Sequence, residues 1–256
     1  MEFANNLFLE SGRILRRCVA LAASAVVFDL ALTIAVEAAD FFKVLNLGVI
    51  LLWTCLALEG HRQVLKAPYL GAARYALSVF GFFWRTIGLT LLGALPAILV
   101  FLLFEHELRL LAAALEDPNH FRILVLLFFC LSFLSVCSAA GTLLPAYVAG
   151  EDGSLVAALD RSKTLFFWLF GRLLIGPGLL YSIALLILAF GVLLSPSGGL
   201  VWSEQHGLDL VFVTATILSL SIQAYATILA AVILSRAFLR HCALLEEKGV
   251  PLSVAG

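Results

Sequence analysis

From about Phe170 to Leu194 the chain is apolar apart from Arg172, and this run exceeds the about 20 residues that a helix needs to cross a bilayer. A soluble domain has no place for such a segment outside its core. Comparable runs recur at about 18–39, 41–58, 87–104, 123–147 and 210–235, of which 41–58 is the shortest. Composition agrees: 62% of the 256 residues are hydrophobic, only 13% are charged, and the mean hydropathy is +1.07. The expected fold is all-α, an integral membrane bundle of six transmembrane helices forming one polytopic domain over 1–256. Pro96, Pro145 and Pro177 fall inside or at the ends of spans, where neighbouring helices can satisfy the carbonyls they free.

Six crossings put both termini on one side, and the basic residues decide which side. Thirteen of the sixteen Lys and Arg residues lie in the tails and in the connections at 59–86 and 148–172, whereas Lys43, Arg109 and Arg122 lie in the alternate loops. Both termini and both of those connections are therefore expected in the cytosol. MEFANNLFLESG has no basic residue ahead of an apolar run, so the first span is expected to act as its own insertion signal. Residues 2–17, with Leu7 and Ile14 at helical spacing and Arg13, Arg16 and Arg17 at the end, read as an N-terminal surface helix. A net charge of −1 and the lack of a long basic run leave no case for a nucleic-acid partner.

The two cytosolic connections read as interfacial elbow helices, at about 61–85 and 151–168. The second is expected to turn Leu155, Ala158, Leu159, Leu165 and Phe166 one way and Asp160, Lys163 and Thr164 the other. Asp152 or Ser154 can cap its start. Glu151, Asp160, Arg161 and Lys163 form a candidate cytosolic surface for a membrane-protein partner. A shift of 84 positions aligns Ser78, Phe82, Phe83 and Trp84 with Ser162, Phe166, Phe167 and Trp168, a loose internal repeat. On the opposite side, 105–122 carries Leu108, Leu111, Ala112 and Leu115 at helical spacing before Pro118.

An ionisable group inside a span costs on the order of 2.5–3.5 kcal/mol on the insertion scale, so Asp29 needs a reason. Ala22, Ala25 and Thr33 share its helix face, which suits close helix packing. On the last span Thr216, Ser219, Gln223 and Thr227 make a polar stripe, beside the small pair Ala226 and Ala230. Equal depths along the spans predict a mid-membrane polar layer in which Asp29 meets Gln223, Tyr181 or Ser182. Such a layer serves either a proton or lipid-like ligand, or helix packing alone. Catalysis is not expected: no His lies in a span, and no metal-ligand spacing, cofactor motif, nucleophile elbow or phosphate-binding loop occurs. The five cysteines read as small apolar packing residues.

LLPAYVAGEDGSLVAALDRSKTLFFWLFGRLL resembles the cytosolic loop signature of a bacterial six-span family, the glycerophosphoryl diester phosphodiesterase membrane domain and its uncharacterised relatives. The matching positions are Pro145, Glu151, Gly153, Ala158, Leu159, Arg161, Ser162, Leu165 and Trp168, and FLESGRILRRCVAL is similar to the family's basic entry helix. Asp152 in the turn and the lack of a basic residue after Leu165 depart from the pattern. The resemblance implies a multi-pass module of the bacterial inner membrane, with no room for a phosphodiesterase barrel of about 250 residues. Function is accordingly expected to be that of a non-enzymatic scaffold or accessory module with an envelope or lipid-related role. The alternative is a small permease using the layer around Asp29.

Overall fold

The computed structural model describes residues 2–38, 46–68, 71–104, 118–199, 201–203 and 207–247. Asp40 and Lys43 at the entry to the second expected span, the outer stretch 105–117 and the tail 248–256 lie outside the described residues.

The architecture is helical. α1 spans Glu2–Arg17 and α2 Val19–Ala38, and the pair bends by 77° around Cys18. α3 is Asn46–Leu65, α4 Ala72–Leu103, α5 Pro118–Ala140 and α6 Leu143–Ala149. α7 (Leu155–Leu173) passes through a π-helical turn, Leu174–Gly178, into α8 (Leu179–Leu194). α9 is Leu210–Glu247, and a two-residue antiparallel pairing of β1 (Trp202–Ser203) with β2 (Gly207–Leu208) precedes it. Among the described residues, four helical stretches are long and apolar enough to cross a membrane: Ala72–Val100, Leu127–Ala149, Leu155–Leu194 and Leu210–Glu247. The bent pair α1–α2 makes five if it counts as one crossing.

α9 is the axis of the bundle. α8 packs most extensively against it, followed by α3 and α1, and its stretch from Ala224 to Phe238 is mostly buried, with Ala226, Ile228, Leu229, Val232, Ile233 and Ala237 nearly inaccessible. One stripe of α1 closes onto it through Leu7, Ile14 and Cys18, joined by Ala22 of α2. The Tyr225 hydroxyl donates to the Phe8 carbonyl at 3.0 Å, and Arg236 grips both carboxylate oxygens of Glu10, at 2.7 and 3.1 Å. A second cluster, Leu58, Phe82, Leu89, Leu143, Leu144 and Ala158, ties α3 to α4, α6 and α7. At the other end Asp209 caps α9: one carboxylate oxygen accepts the Phe212 N–H and the other accepts the Ser195 and Ser197 hydroxyls. These bonds, the Ser195 hydroxyl first, hold its carboxyl below the usual carboxylate range.

Two expected boundaries are not chain breaks. The stretches 61–85 and 151–168 are not separate helices lying between spans: the first is divided between the end of α3 and the start of α4, and the second is the beginning of a helix that continues to Leu194. Nothing between Leu165 and Arg172 interrupts helical hydrogen bonding, and Pro177, which has no N–H to give, is absorbed where Leu179 N–H reaches back five residues to the Leu174 carbonyl. The face that α7 buries also differs from the expected one. Ala158, Arg161, Ser162, Leu165 and Leu169 are buried, whereas Leu155 and Leu159 are exposed. The internal repeat does not extend to environment, since Phe83 is buried and its counterpart Phe167 is 87% exposed.

Candidate functional site

Two groups of polar side chains stand out, one midway along the helices and one at the end where the basic residues gather. In the first, Asp29 of α2 finds its partner on α3: the Trp53 indole N–H donates to its carboxylate at 3.0 Å. Ala22 and Ala25 on the same face are buried, as the small-residue pattern predicts. Tyr181 of α8 bonds instead to Thr227 of α9 at 2.9 Å. Ser182 donates to the carbonyl of Gly178 in its own helix, and Gln223 donates to Ser219 one turn away. The hydrogen bonds of the described residues thus do not join Asp29 to Tyr181, Ser182 or Gln223. They make two separate pairs, Asp29–Trp53 and Tyr181–Thr227, each linking neighbouring helices. The remaining hydroxyls of the α9 stripe are satisfied at home, Thr216 on the Phe212 carbonyl and Thr227 on that of Gln223.

The second group is denser. His61 of α3 is 1% exposed, and its Nδ1 lies 2.7 Å from the hydroxyl of Ser235 on α9, itself fully buried. Burial alone pushes the imidazole down to about 3, so it is neutral at ordinary pH. The next residue, Arg62, is buried as well. It donates to the Pro68 carbonyl at 2.7 Å, faces Glu59 at 3.6 Å, and has its guanidinium 5.3 Å from the Tyr75 ring. Arg85 lies 3.9 Å over the Tyr147 ring and donates to the Gly81 carbonyl. Arg172 and Arg240 share the Trp168 ring. Guanidinium groups are weakly hydrated and stack on aromatic faces, so they can be tucked among helices where lysine could not.

The candidate partner surface on the second elbow divides. Arg161 is 7% exposed: its Nε donates to the Thr142 hydroxyl and both terminal nitrogens donate to the Asp152 carbonyl at 3.1 Å. It is a strut under the 150–154 turn and not a surface group. Ser154 caps α7 by accepting the Ala157 N–H, and Asp152 accepts the Ser154 N–H, which holds its carboxyl below the ordinary value. Glu151 is half-buried, and its N–H goes to the Ala146 carbonyl. Asp160 and Lys163 remain outward as an exposed pair at 2.7 Å, flanked by Val156 and Phe167, which are 78% and 87% exposed.

Two cavities open at this basic end, each of about 290 Å³. One is lined by Arg62, Ser78, Tyr147 and the 148–150 backbone, the other by Arg17, Glu59, Arg62, Gln63, Lys66 and Ala67. Neither includes Asp29, Tyr181, Ser182 or Gln223. Among the described residues no three His, Cys, Asp or Glu side chains converge to hold a metal. Sequence reasoning missed Trp53, His61, Ser235 and the aromatic-backed arginines as site residues. One signal was available: an indole N–H inside an apolar run needs an acceptor, and Asp29 is the carboxylate of the preceding span. No family model, curated protein or solved structure matches the chain.

Proposed function

We propose that this chain is a non-enzymatic membrane scaffold or accessory module, six-spanning, with both termini on the cytosolic side of a bacterial inner membrane and an envelope or lipid-related role. The observation that carries this reading is the close-packed stretch of α9 from Ala224 to Phe238, where Thr227 bonds within the helix and to Tyr181, and Ser235 meets His61. The two cavities at the basic end are lined without the mid-helix polar groups, so they offer no through-path that includes Asp29. The distribution of Lys and Arg supports the orientation, and the likeness of the Pro145–Trp168 stretch to the membrane-domain family supports the class. The outward side of α7, where Val156 and Phe167 flank the Asp160–Lys163 pair, is the surface that would meet a membrane-protein partner.

The test is complementation of a deletion strain, read as growth and membrane lipid profile, with each protein's accumulation in the membrane measured in parallel. Asp29→Asn keeps the acceptor for Trp53 and removes the titrating group, and it is expected to complement fully. Phe167→Asp, which alters an exposed position, is expected to accumulate and yet fail. If Asp29→Asn accumulates normally and fails, a permease for a lipid-like or proton-coupled solute takes the place of the scaffold.

A further inference from the structure

α3 ends in a closed turn. Lys66 takes a left-handed conformation, φ 51°, and the Ala67 N–H returns to the Arg62 carbonyl. Lys66 and the last residue of α1, Arg17, both line one cavity of about 290 Å³. Of its six lining residues three are cationic and only Glu59 is anionic. Glu59 is already engaged: Gln63 donates to one of its oxygens at 2.8 Å and Arg62 faces the other at 3.6 Å. Gln63 turns its amide oxygen toward Arg17, which donates to it over a long 3.4 Å. Arg17 and Lys66 therefore meet no carboxylate among the described residues, and Arg62 Nε is buried with no acceptor. The outer face of α1 leading to this point sets exposed Leu9 before exposed Arg13, Arg16 and Arg17, the pattern of a helix lying at a lipid headgroup boundary.

We infer that this cavity binds a phosphate group, carried by an anionic phospholipid whose acyl chains lie along the bundle, with Arg17 and Lys66 as the primary contacts and Arg62 behind them. Lys supplies a point charge and Arg a planar fork, a pair suited to a phosphate monoester or diester. A free inorganic phosphate has the same chemistry and is the other possible source. The inference rests on reading the chain as a membrane module, and it holds whether that module is a scaffold or a permease.

The experiment is isothermal titration of the full-length chain in non-ionic detergent with dihexanoyl phosphatidic acid, with dihexanoyl phosphatidylcholine and with inorganic phosphate. Wild type is expected to bind the phosphatidic acid, and Arg17→Gln with Lys66→Gln is expected to weaken it roughly thirtyfold, given the usual worth of two basic groups at an anionic headgroup. Arg17→Lys with Lys66→Arg should retain binding. Arg13→Gln with Arg16→Gln removes the same amount of charge from α1 outside the cavity and should leave affinity unchanged. Inorganic phosphate that binds as tightly as the lipid, with the same dependence on Arg17 and Lys66, identifies free phosphate as the ligand of the same site. If the Arg17/Lys66 pair weakens neither probe, or the Arg13/Arg16 pair weakens them equally, the site is overturned. Membrane insertion of every variant is scored separately, so loss of binding by the Arg17/Lys66 pair with intact insertion supports the site, whereas an inserted wild type that binds neither probe counts against the site and not against the membrane reading.

Discussion

A histidine buried without a charged neighbour carries its pH dependence in its surroundings. The imidazole of His61 is held down to about 3, against 6.5 in the unfolded chain. Between those values the unfolded form holds one proton more than the folded form, so stability falls as pH drops from about 6.5 toward 3, by at most about 1.4 kcal/mol per pH unit from this group. Thermal unfolding in detergent should therefore show a midpoint that declines between pH 7 and 5 and declines less in His61→Gln. Parallel decline in both proteins would mean that other groups set the acid limb. The residue is also a lesson in legibility. Read from the sequence, His61 is a flanking group and Arg62, Arg85 and Arg161 are entries in a charge tally that orients the chain. Their actual surroundings, Ser235, Tyr75, Tyr147 and Thr142, lie far along the sequence and are invisible to local spacing. Asp29 was readable as a buried-face polar group because Ala22 and Ala25 sit beside it, but its partner on α3 was not.

At the scale of elements, the apolar runs predicted helices at most of the right places, because twenty apolar residues in a row leave few other choices. Helix ends were harder. The sequence offers Asp152 or Ser154 as the cap of the second elbow, and in the structure Ser154 caps α7 while Asp152 accepts the Ser154 N–H, just after Gly150 closes α6 in a left-handed conformation at φ 77°. The run through Pro177 was legible as one span, but its continuity with the stretch 151–168 was not, and only packing shows the wide turn that absorbs the proline. Close approach between elements is likewise a tertiary fact. A Cβ placed on Gly191 of α8 would come within 2.4 Å of the Ala215 Cβ on α9, whereas one on Gly88 of α4 would meet nothing within 4 Å. Both glycines lie inside helices, where alanine gains up to about 1 kcal/mol in helix propensity. Gly88→Ala should therefore stabilise the protein modestly. Gly191→Ala should destabilise it, because overpacking costs about 1–3 kcal/mol, and Ala215→Gly should relieve that cost in the double variant. A chemical denaturation series in which Gly191→Ala gains as much as Gly88→Ala would show that α8 and α9 are not in close contact there.

For the whole molecule the deciding quantity is helix length against bilayer thickness. At about 1.5 Å per residue, α9 extends about 57 Å and the continuous α7–α8 helix about 60 Å, nearly twice the about 30 Å of a hydrocarbon core. Each must leave the membrane at one end, and in both it is the end that carries charge: Asp160, Arg161 and Lys163 on α7, Arg236 and Arg240 on α9. The opposite ends stop abruptly at the short connection 195–209, pinned by Asp209. One side of the module is thus a collar of projecting helices, packed through His61, Arg62, Arg85 and Arg161, while α8 and α9 meet on the other side at the connection 195–209. The number of crossings fixes which termini share the collar side. If α2 and α3 each cross, the total is six and α1 lies on the same side as the end of α9. If the bent α1–α2 pair is one crossing and α3 none, the total is five and they part. Single cysteines in a background free of the native five, placed at Asn6, Pro196 and Glu246 and treated with a membrane-impermeant maleimide on intact cells, separate these arrangements. The expected outcome is labelling at Pro196 alone, with Asn6 and Glu246 reacting only after permeabilisation. Labelling of Asn6 together with Pro196, and not of Glu246, would establish an odd number of crossings and place the start of α1 on the outer face.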